Sequence, residues 1–492
     1  MVRRRSGLAP DCFVGGVTRD AMEPSDARTQ VAAYYRNPSV RARLREYCGD
    51  EDDRGPSAVF VGGLDPTNQP YPTWSNAAVV PTSDLDALAA RGADLARSLW
   101  DSRALIFLLD LDYQNLDFPS EPFTHPTDVF FKLENLYAST QRVFQQFGLA
   151  TLTTATGRGY HLVGRIPLVD PVLDALSALA DLPSWHGTYL RNRPPGVRAT
   201  MEACDATAAA GLGLVIEYLA HLILGEAEPL SLVPVVVNGT TVGSGFVGRE
   251  CVSIDFSHVG DPMSVRHVRM GFSTYQWHRA RPDIFGPEVA ALPPIVALPR
   301  PQSSLEAFLL EGRDLHTGAT MAVKASNALP DISAGVSRAL ESYRGSPLAV
   351  FHSAFAAERR RGAAVRTDLP ADLAPCLRRA LDQPNDLLLK PEHVQNLVRG
   401  LMARGWTGSE IARVVEREYT RDHGWGDRWA RLDARTRADF DVRVFAGLIV
   451  TGRDRLIDFN CKSSQDKAVC PFVGCAHDLR EDRDRLWARF PS

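Results

Sequence analysis

Residues Arg103 to Asn115 read RALIFLLDLDYQN, an apolar run ending in two aspartates, Asp110 and Asp112, one residue apart. Six successive apolar residues, Ala104 to Leu109, predict a strand buried on both faces, in which side chains two apart point the same way. Both carboxylates therefore leave one face together. Like charges that close repel, and burying them unpaired is costly, so a cation between them resolves the conflict. Hard divalent ions such as Mg²⁺ suit such oxygen ligands and commonly share them with substrate phosphates. The same residues also suit a strand end where the aspartates only cap a turn.

The 492-residue chain is too long for one ordinary core. Its start, MVRRRSGLAPDC, is basic but has no apolar signal region. The most apolar stretch, Gly211 to Gly225, contains Glu217 and His221 and reads as too short to span a bilayer. A cytoplasmic protein with no membrane partner is expected. The net charge of -4 excludes a basic nucleic-acid coat. Divided at residue 346, the chain carries -8 before and +4 after, so phosphate binding must come from local clusters. Only five of the 55 basic residues are lysine, so an arginine at any one site is weak evidence of a need for bidentate contacts. Of eight cysteines, Cys461, Cys470 and Cys475 lie close together, which in a reducing compartment points to metal before disulfide.

Outward from the aspartate strand, residues 1–27 read as a flexible tail, and Thr29 to Tyr47 as a helix interrupted near Asn37-Pro38. Ser57 to Gly63 and Ala77 to Pro81 read as short strands, and Asp84 to Trp100 as an amphipathic helix. Pro126 opens a helix whose apolar positions run to Phe147, with Gly148 as its cap. Leu149 to Ala155 and Tyr160 to Ile166 predict a hairpin turning at Thr156-Gly157-Arg158-Gly159. Two glycines let backbone N–H groups approach an anion, Arg158 adds charge and His161 follows within reach, although Gly-Arg-Gly also occurs in ordinary hairpins. A helical middle, Pro171 to Gly225, precedes strands at Leu230 to Val237 and Glu250 to Phe256. There Asp255 ends an apolar run as Asp110 does. The stretch SVRHVRMGFSTYQWH, Ser264 to His278, then gathers Arg266, His267, Arg269 and His278, as a phosphate site or as a solvated basic loop. From Pro347 the chain reads as helices at 349–364, 371–381, 391–404, 409–422 and 435–451. No Gly-rich loop ends in Gly-Lys-Ser/Thr, which excludes an ATP-driven motor of that type.

This order of a DxD strand, a helix, a Gly-Arg-Gly-Tyr-His hairpin, a strand ending in a third Asp and a basic stretch resembles the catalytic domain of archaeo-eukaryotic primases and primase-polymerases, over roughly residues 30 to 285. The resemblance implies an α+β catalytic domain with an RRM-like palm at residues 28–300. It implies Asp110, Asp112 and Asp255 as catalytic ligands of Mg²⁺ or Mn²⁺. Thr156, Gly157, Arg158, Gly159 and His161 would bind the nucleotide's phosphates, with Arg266, His267, Arg269 and Ser273 as the later basic element around Phe272. Thr156 stands where serine is usual, and Tyr275 where many members have histidine.

Residues 301–346 would be a linker or bridging helices. The mainly helical residues 347–492 resemble the iron-sulfur domain of the large primase subunit: LAPCL at 373–377, a Trp-Gly-Asp-Arg-Trp segment at 425–429, then FNCKSSQDKAVCPFVGCAHD. That likeness implies Cys376, Cys461, Cys470 and Cys475 as ligands of a 4Fe-4S cluster. Four thiolates suit zinc equally by residue type, His477 keeps a Cys3His zinc site open, and a local three-cysteine knuckle without Cys376 is the simpler alternative. The implied function is a DNA primase or primase-polymerase acting on single-stranded DNA with NTPs or dNTPs, with a replicative helicase or polymerase as partner. The alternatives are a gap-filling repair polymerase of the same superfamily and a non-catalytic DNA-binding protein. A replication-initiator nuclease is disfavoured because no His-x-His pair occurs.

Overall fold

The computed structural model describes residues 24–50, 54–65, 77–189, 196–197, 199–240, 249–300, 304–362, 366, 368–385, 387–425, 432–472 and 474–490. Most of the expected tail, and all of the Trp-Gly-Asp-Arg-Trp segment beyond Trp425, lie outside these residues. The helix expected from Thr29 begins earlier, as α1 (Pro24–Arg36), and breaks as expected at Asn37, whose side chain caps α2 (Pro38–Tyr47).

Strands β1 (Phe60–Leu64), β2 (Ala78–Pro81), β3 (Asp94–Ser98), β4 (Ala104–Asn115), β5 (Leu152–Ala155), β6 (Gly159–Pro167), β7 (Val235–Val237), β8 (Glu250–Asp255), β9 (His267–Arg269), β10 (Thr274–Tyr275), β11 (Ile295–Val296) and β12 (Leu298–Pro299) form three sheets. The largest has the order β12-β5-β6-β4-β8-β7, a four-stranded sheet runs β2-β1-β3-β9, and β10 pairs with β11. The fold is mixed α and β.

The amphipathic helix expected over Asp84 to Trp100 is not formed. Helix is confined to Leu85–Ala89, the chain turns at Gly92 with φ +67°, and β3 inserts between β1 and β9. All five residues of β3 are buried, so burial on both faces and ladder pairing prevail over the helical spacing of Leu85, Leu88 and Ala89.

Helix α3 (Pro126–Phe147) starts at Pro126 and ends at Gly148, φ +62°, and packs on the face of β4 that carries Phe107 and Tyr113. Beside it lies α4 (Ala203–Ala227), the longest helix of a middle that, among the described residues, otherwise holds the short helices Val172–Ser177 and His186–Tyr189. At 25 residues α4 is longer than its apolar stretch suggested, and long and apolar enough to cross a membrane. However, 78% of its most apolar window is buried inside the protein.

Residues 305–322 form two short helices and lead to α5 (Ser333–Arg344). The remainder is helical: α6 (Pro347–Arg361), α7 (Pro375–Asp382), α8 (Pro391–Ala403), α9 (Gly408–Tyr419), α10 (Ala434–Val450), α11 (Cys461–Asp466) and α12 (Leu479–Arg489). A capping box between Thr407 and Glu410 starts α9. One continuous buried cluster runs from Val31 to Leu486.

Candidate active site

Three adjacent strands set the site by their register. In β4, Asp110 lies opposite His161 of β6 on one side and opposite Asp255 of β8 on the other. Residues directly opposite share a face, so His161, Asp110 and Asp255 form a row across the sheet, and Asp112 follows two residues along the same face. This face is opposite the one covered by α3.

The carboxylates stand in distinct surroundings. Arg158 donates to Asp112 Oδ2 at 2.6 Å and lies over the Trp277 ring, 5.4 Å from its centre. Burial pushes the Asp112 carboxyl up to about 7; Arg158 opposes the shift, while Asp110 and Asp255 add to it by repulsion. His161 Nε2 lies 3.4 Å from Asp110 Oδ2. Burial lowers the imidazole's proton affinity, but the charge of Asp110 and its hydrogen bond outweigh that and raise the pKa. Asp110 Oδ1 is buried without a hydrogen bond, and Asp255 Oδ1 accepts from the Ser257 N–H at 2.7 Å. An orphaned oxygen among three converging carboxylates fits a hard cation by donor chemistry. Among the described residues, no group of three or more His, Cys, Asp or Glu side chains is placed so that it could hold a metal ion. Instead, Arg158, His161 and the Ser257 N–H each engage one carboxylate.

The two hairpin glycines have packing reasons for lacking a side chain. A Cβ on Gly159 would stand 1.9 Å from the Leu111 carbonyl oxygen, and one on Gly157 would come within 2.5 Å of the Tyr275 ring. Thr156 is buried and closes the turn, donating N–H and hydroxyl to the Gly159 carbonyl, while Arg313 holds the Thr156 carbonyl.

The structure disperses the later basic stretch. Arg269 pairs with buried Asp94 at 3.1 Å and stacks on Tyr275 at 4.5 Å, close enough to His161 to oppose its protonation. Arg266 pairs with Asp261. His267 packs edge-on against Phe60, and burial pushes its pKa down to about 4. Ser273 Oγ accepts from the Leu95 N–H at 2.7 Å, and Phe272 is buried at φ +64°. His278 packs on Phe123, its ring centre 4.8 Å away, and not on the carboxylates. Thus His161, Arg158, Asp110, Asp112 and Asp255 converge, Arg269 borders them, and Arg266, His267 and Ser273 brace β3 and its neighbours. Sequence reasoning missed Asp94, hidden in the expected helix, Arg313, which returns from the presumed linker, and His258, whose pKa responds to Arg266 and Asp110.

Cys376 is buried at the start of α7, Cys461 opens α11, Cys470 is buried and Cys475 exposed. Burial pushes the Cys376 thiol up to about 12, and Cys470, Cys461 and Cys475 add to the shift, Cys470 also by a hydrogen bond. Cys461 and Cys475 each point a sulfur at the His477 carbonyl, 3.8 Å away, and the Leu479 N–H donates to Cys461 Sγ at 3.5 Å. Cys376 is thus hydrogen-bonded to Cys470 and feels Cys461 and Cys475 electrostatically.

No family model matches the chain, and no curated protein matches it. Among solved structures, it is similar to the polymerase domain from Mycobacterium tuberculosis ligase D in complex with DNA, with 14% identity and a TM-score of 0.36, over 62% of this chain and 92% of that one.

Proposed function

We propose that the chain is a nucleotidyltransferase that builds primers on single-stranded DNA, a primase or primase-polymerase using NTPs or dNTPs. The observation that supports this best is the register placing Asp110 between His161 and Asp255, with Asp112 beside them. Asp110, Asp112 and Asp255 would hold Mg²⁺ or Mn²⁺. When bound, such an ion lowers the pKa of an attacking hydroxyl and offsets charge on phosphoryl oxygens.

The chain's own residues supply the rest. Arg158, paired with Asp112 at 2.6 Å, is close enough to exchange that carboxylate for a triphosphate oxygen. His161, held toward its charged form by Asp110, offers a hydrogen bond to the same anion. Tyr275 and Trp277 lie under Arg269 and Arg158 and limit their swing. The four cysteines are proposed to hold a 4Fe-4S cluster, with zinc as the alternative, and the helical half to hold template.

A de novo synthesis assay on single-stranded DNA, with labelled NTPs or dNTPs and a parallel supplied-primer reaction, tests this. Products without primer, lost in Asp110→Ala, are expected. Extension without initiation identifies a gap-filling polymerase, and no incorporation under either condition refutes the enzyme.

A further inference from the structure

The third carboxylate, Asp255, ends β8, and the chain turns at once into a 3-10 turn, Ser257–Gly260. That turn is gripped by a helix nearly 180 residues later. Arg437 of α10 reaches the Ser257 carbonyl at 3.4 Å and Asp261 Oδ1 at 3.2 Å, while its Nε pairs with Asp441 at 3.2 Å. Asp441 accepts in turn from the Tyr419 hydroxyl of α9 at 3.2 Å. Three residues along α10, the Phe440 ring meets Phe256 edge-on at 5.8 Å and fills the space beside Gly260, where a Cβ would come within 2.5 Å of it. Ser257 is thus tied at both ends: its N–H holds Asp255 Oδ1 and its carbonyl faces Arg437.

We propose that Arg437 and Phe440 of α10 are positioning residues for Asp255, so that the helical half helps to complete the carboxylate site. The proposal rests on the reading of Asp255 as a metal ligand. Arg437 is half-buried between Asp441 and Asp261; desolvation would lower its pKa, but Asp441, Asp261 and also Asp255 outweigh that and raise it. The grip is local. Beside it the seam between the halves opens into a cavity of about 670 Å³, lined by Ile106, Leu212, His258, Phe355 and Arg443 among others. Arg266 also pairs with Asp261, and Val259 packs against Gly213 of α4, but Arg437 is the contact that reaches the Ser257 carbonyl itself. A turn released from α10 would let Asp255 rotate away from Asp110, and partners behind a ligating carboxylate govern metal affinity in this way.

Mn²⁺ binding to the full chain, read as loss of the free-ion electron paramagnetic resonance signal, tests the proposal beside thermal melting. Arg437→Ala is expected to weaken Mn²⁺ binding about tenfold or more, the usual size of an outer-shell loss. Arg437→Lys should recover part of it, since an ammonium reaches Asp261 but cannot span all three partners. Gly260→Ala, which pushes on Phe440 and leaves Arg437 in place, should reproduce the loss, and it decides the matter if Arg437→Ala does not fold. Wild-type Mn²⁺ affinity in folded Arg437→Ala or Gly260→Ala, with or without a lower melting temperature, overturns the proposal. Asp255→Ala is the control: if it leaves Mn²⁺ binding intact, the metal reading itself has failed.

Discussion

Asp112 shows how one residue's surroundings set its chemistry. Its carboxyl is raised to about 7 by burial, with Asp110 and Asp255 adding to the shift and Arg158 opposing it. A folded-state pKa above the unfolded value means that this group stabilises the metal-free protein at low pH and loses that contribution as pH rises toward 7. Metal binding and incorporation need the ionised form, so both should rise with pH through that region at limiting Mn²⁺. Removing the opposing charge in Arg158→Ala should move the pH profile of incorporation to higher pH; a profile moved the other way would contradict the pairing. His161 and Arg269 should separate. His161→Ala should cost tenfold or more in turnover, the loss of one charge-assisted contact of roughly 1.5–3 kcal/mol, with little change in melting. Arg269→Ala takes the arginine counter-charge from fully buried Asp94 and leaves it hydrogen bonds from Thr274 and Gln276, so thermal melting should report a clear loss of stability. The sharing of one face by Asp110 and Asp112 was legible because a strand's period is two. The fates of His267 and Ser273 were not, because Phe60 and Leu95 are distant in sequence, and that of Arg266 was not, because its pairing with Asp261 depends on the turn between them.

Among the elements, β4 was legible from its apolar run and α3 from its spacing, proline and glycine. β3 was not. Its sequence, DLARS, carries no alternation and follows a helical spacing, and only pairing with β1 and β9 makes it a strand. Helix α4 shows the same limit. Its composition suggested an apolar stretch too short to span a bilayer, but the reason for Glu217 within it appears only with α6 and α10 in place. There His352 lies 3.1 Å from Glu217 Oε1, Arg443 donates to Oε2 at 2.9 Å, and Tyr343 hydrogen-bonds the other His352 nitrogen at 2.9 Å. Burial would raise the Glu217 pKa, yet Arg443 and His352 bring it down to about 2. A depressed carboxylate stabilises above its unfolded value of about 4.5 and loses that contribution as pH falls toward 2. Glu217→Gln removes the fully buried carboxylate that pairs with half-buried Arg443, a loss of about 3–5 kcal/mol at pH 7. The gap in unfolding free energy between variant and wild type should narrow at pH 3; a constant gap would remove the ionic account.

At the scale of the whole molecule, Cys376, near the start of the helical half, meets Cys470, near its end. Cys376 opens α7, Cys461 opens α11, and Cys470 and Cys475 follow before α12. Their region abuts the far end of the catalytic sheet: Arg249, beside β8, pairs with Asp117 and reaches the Asp466 carbonyl at the end of α11. That end of β4 is five residues past Asp110, roughly 17 Å at 3.4 Å per residue. Helix α10 is anchored separately, through Arg437 to Asp261 and Arg443 to Glu217. Loss of one thiolate should therefore loosen α7, α11 and α12 while leaving α10, and with it the carboxylates, in place. Cys376→Ser should accordingly impair initiation first and spare extension of a supplied primer. If the four thiolates hold a 4Fe-4S cluster, anaerobically purified protein should be brown and contain about four irons per chain. A colourless protein with one zinc, its metal content and melting unchanged by Cys376→Ser, would leave Cys376 as an ordinary buried thiol beside a local knuckle of Cys461, Cys470 and Cys475.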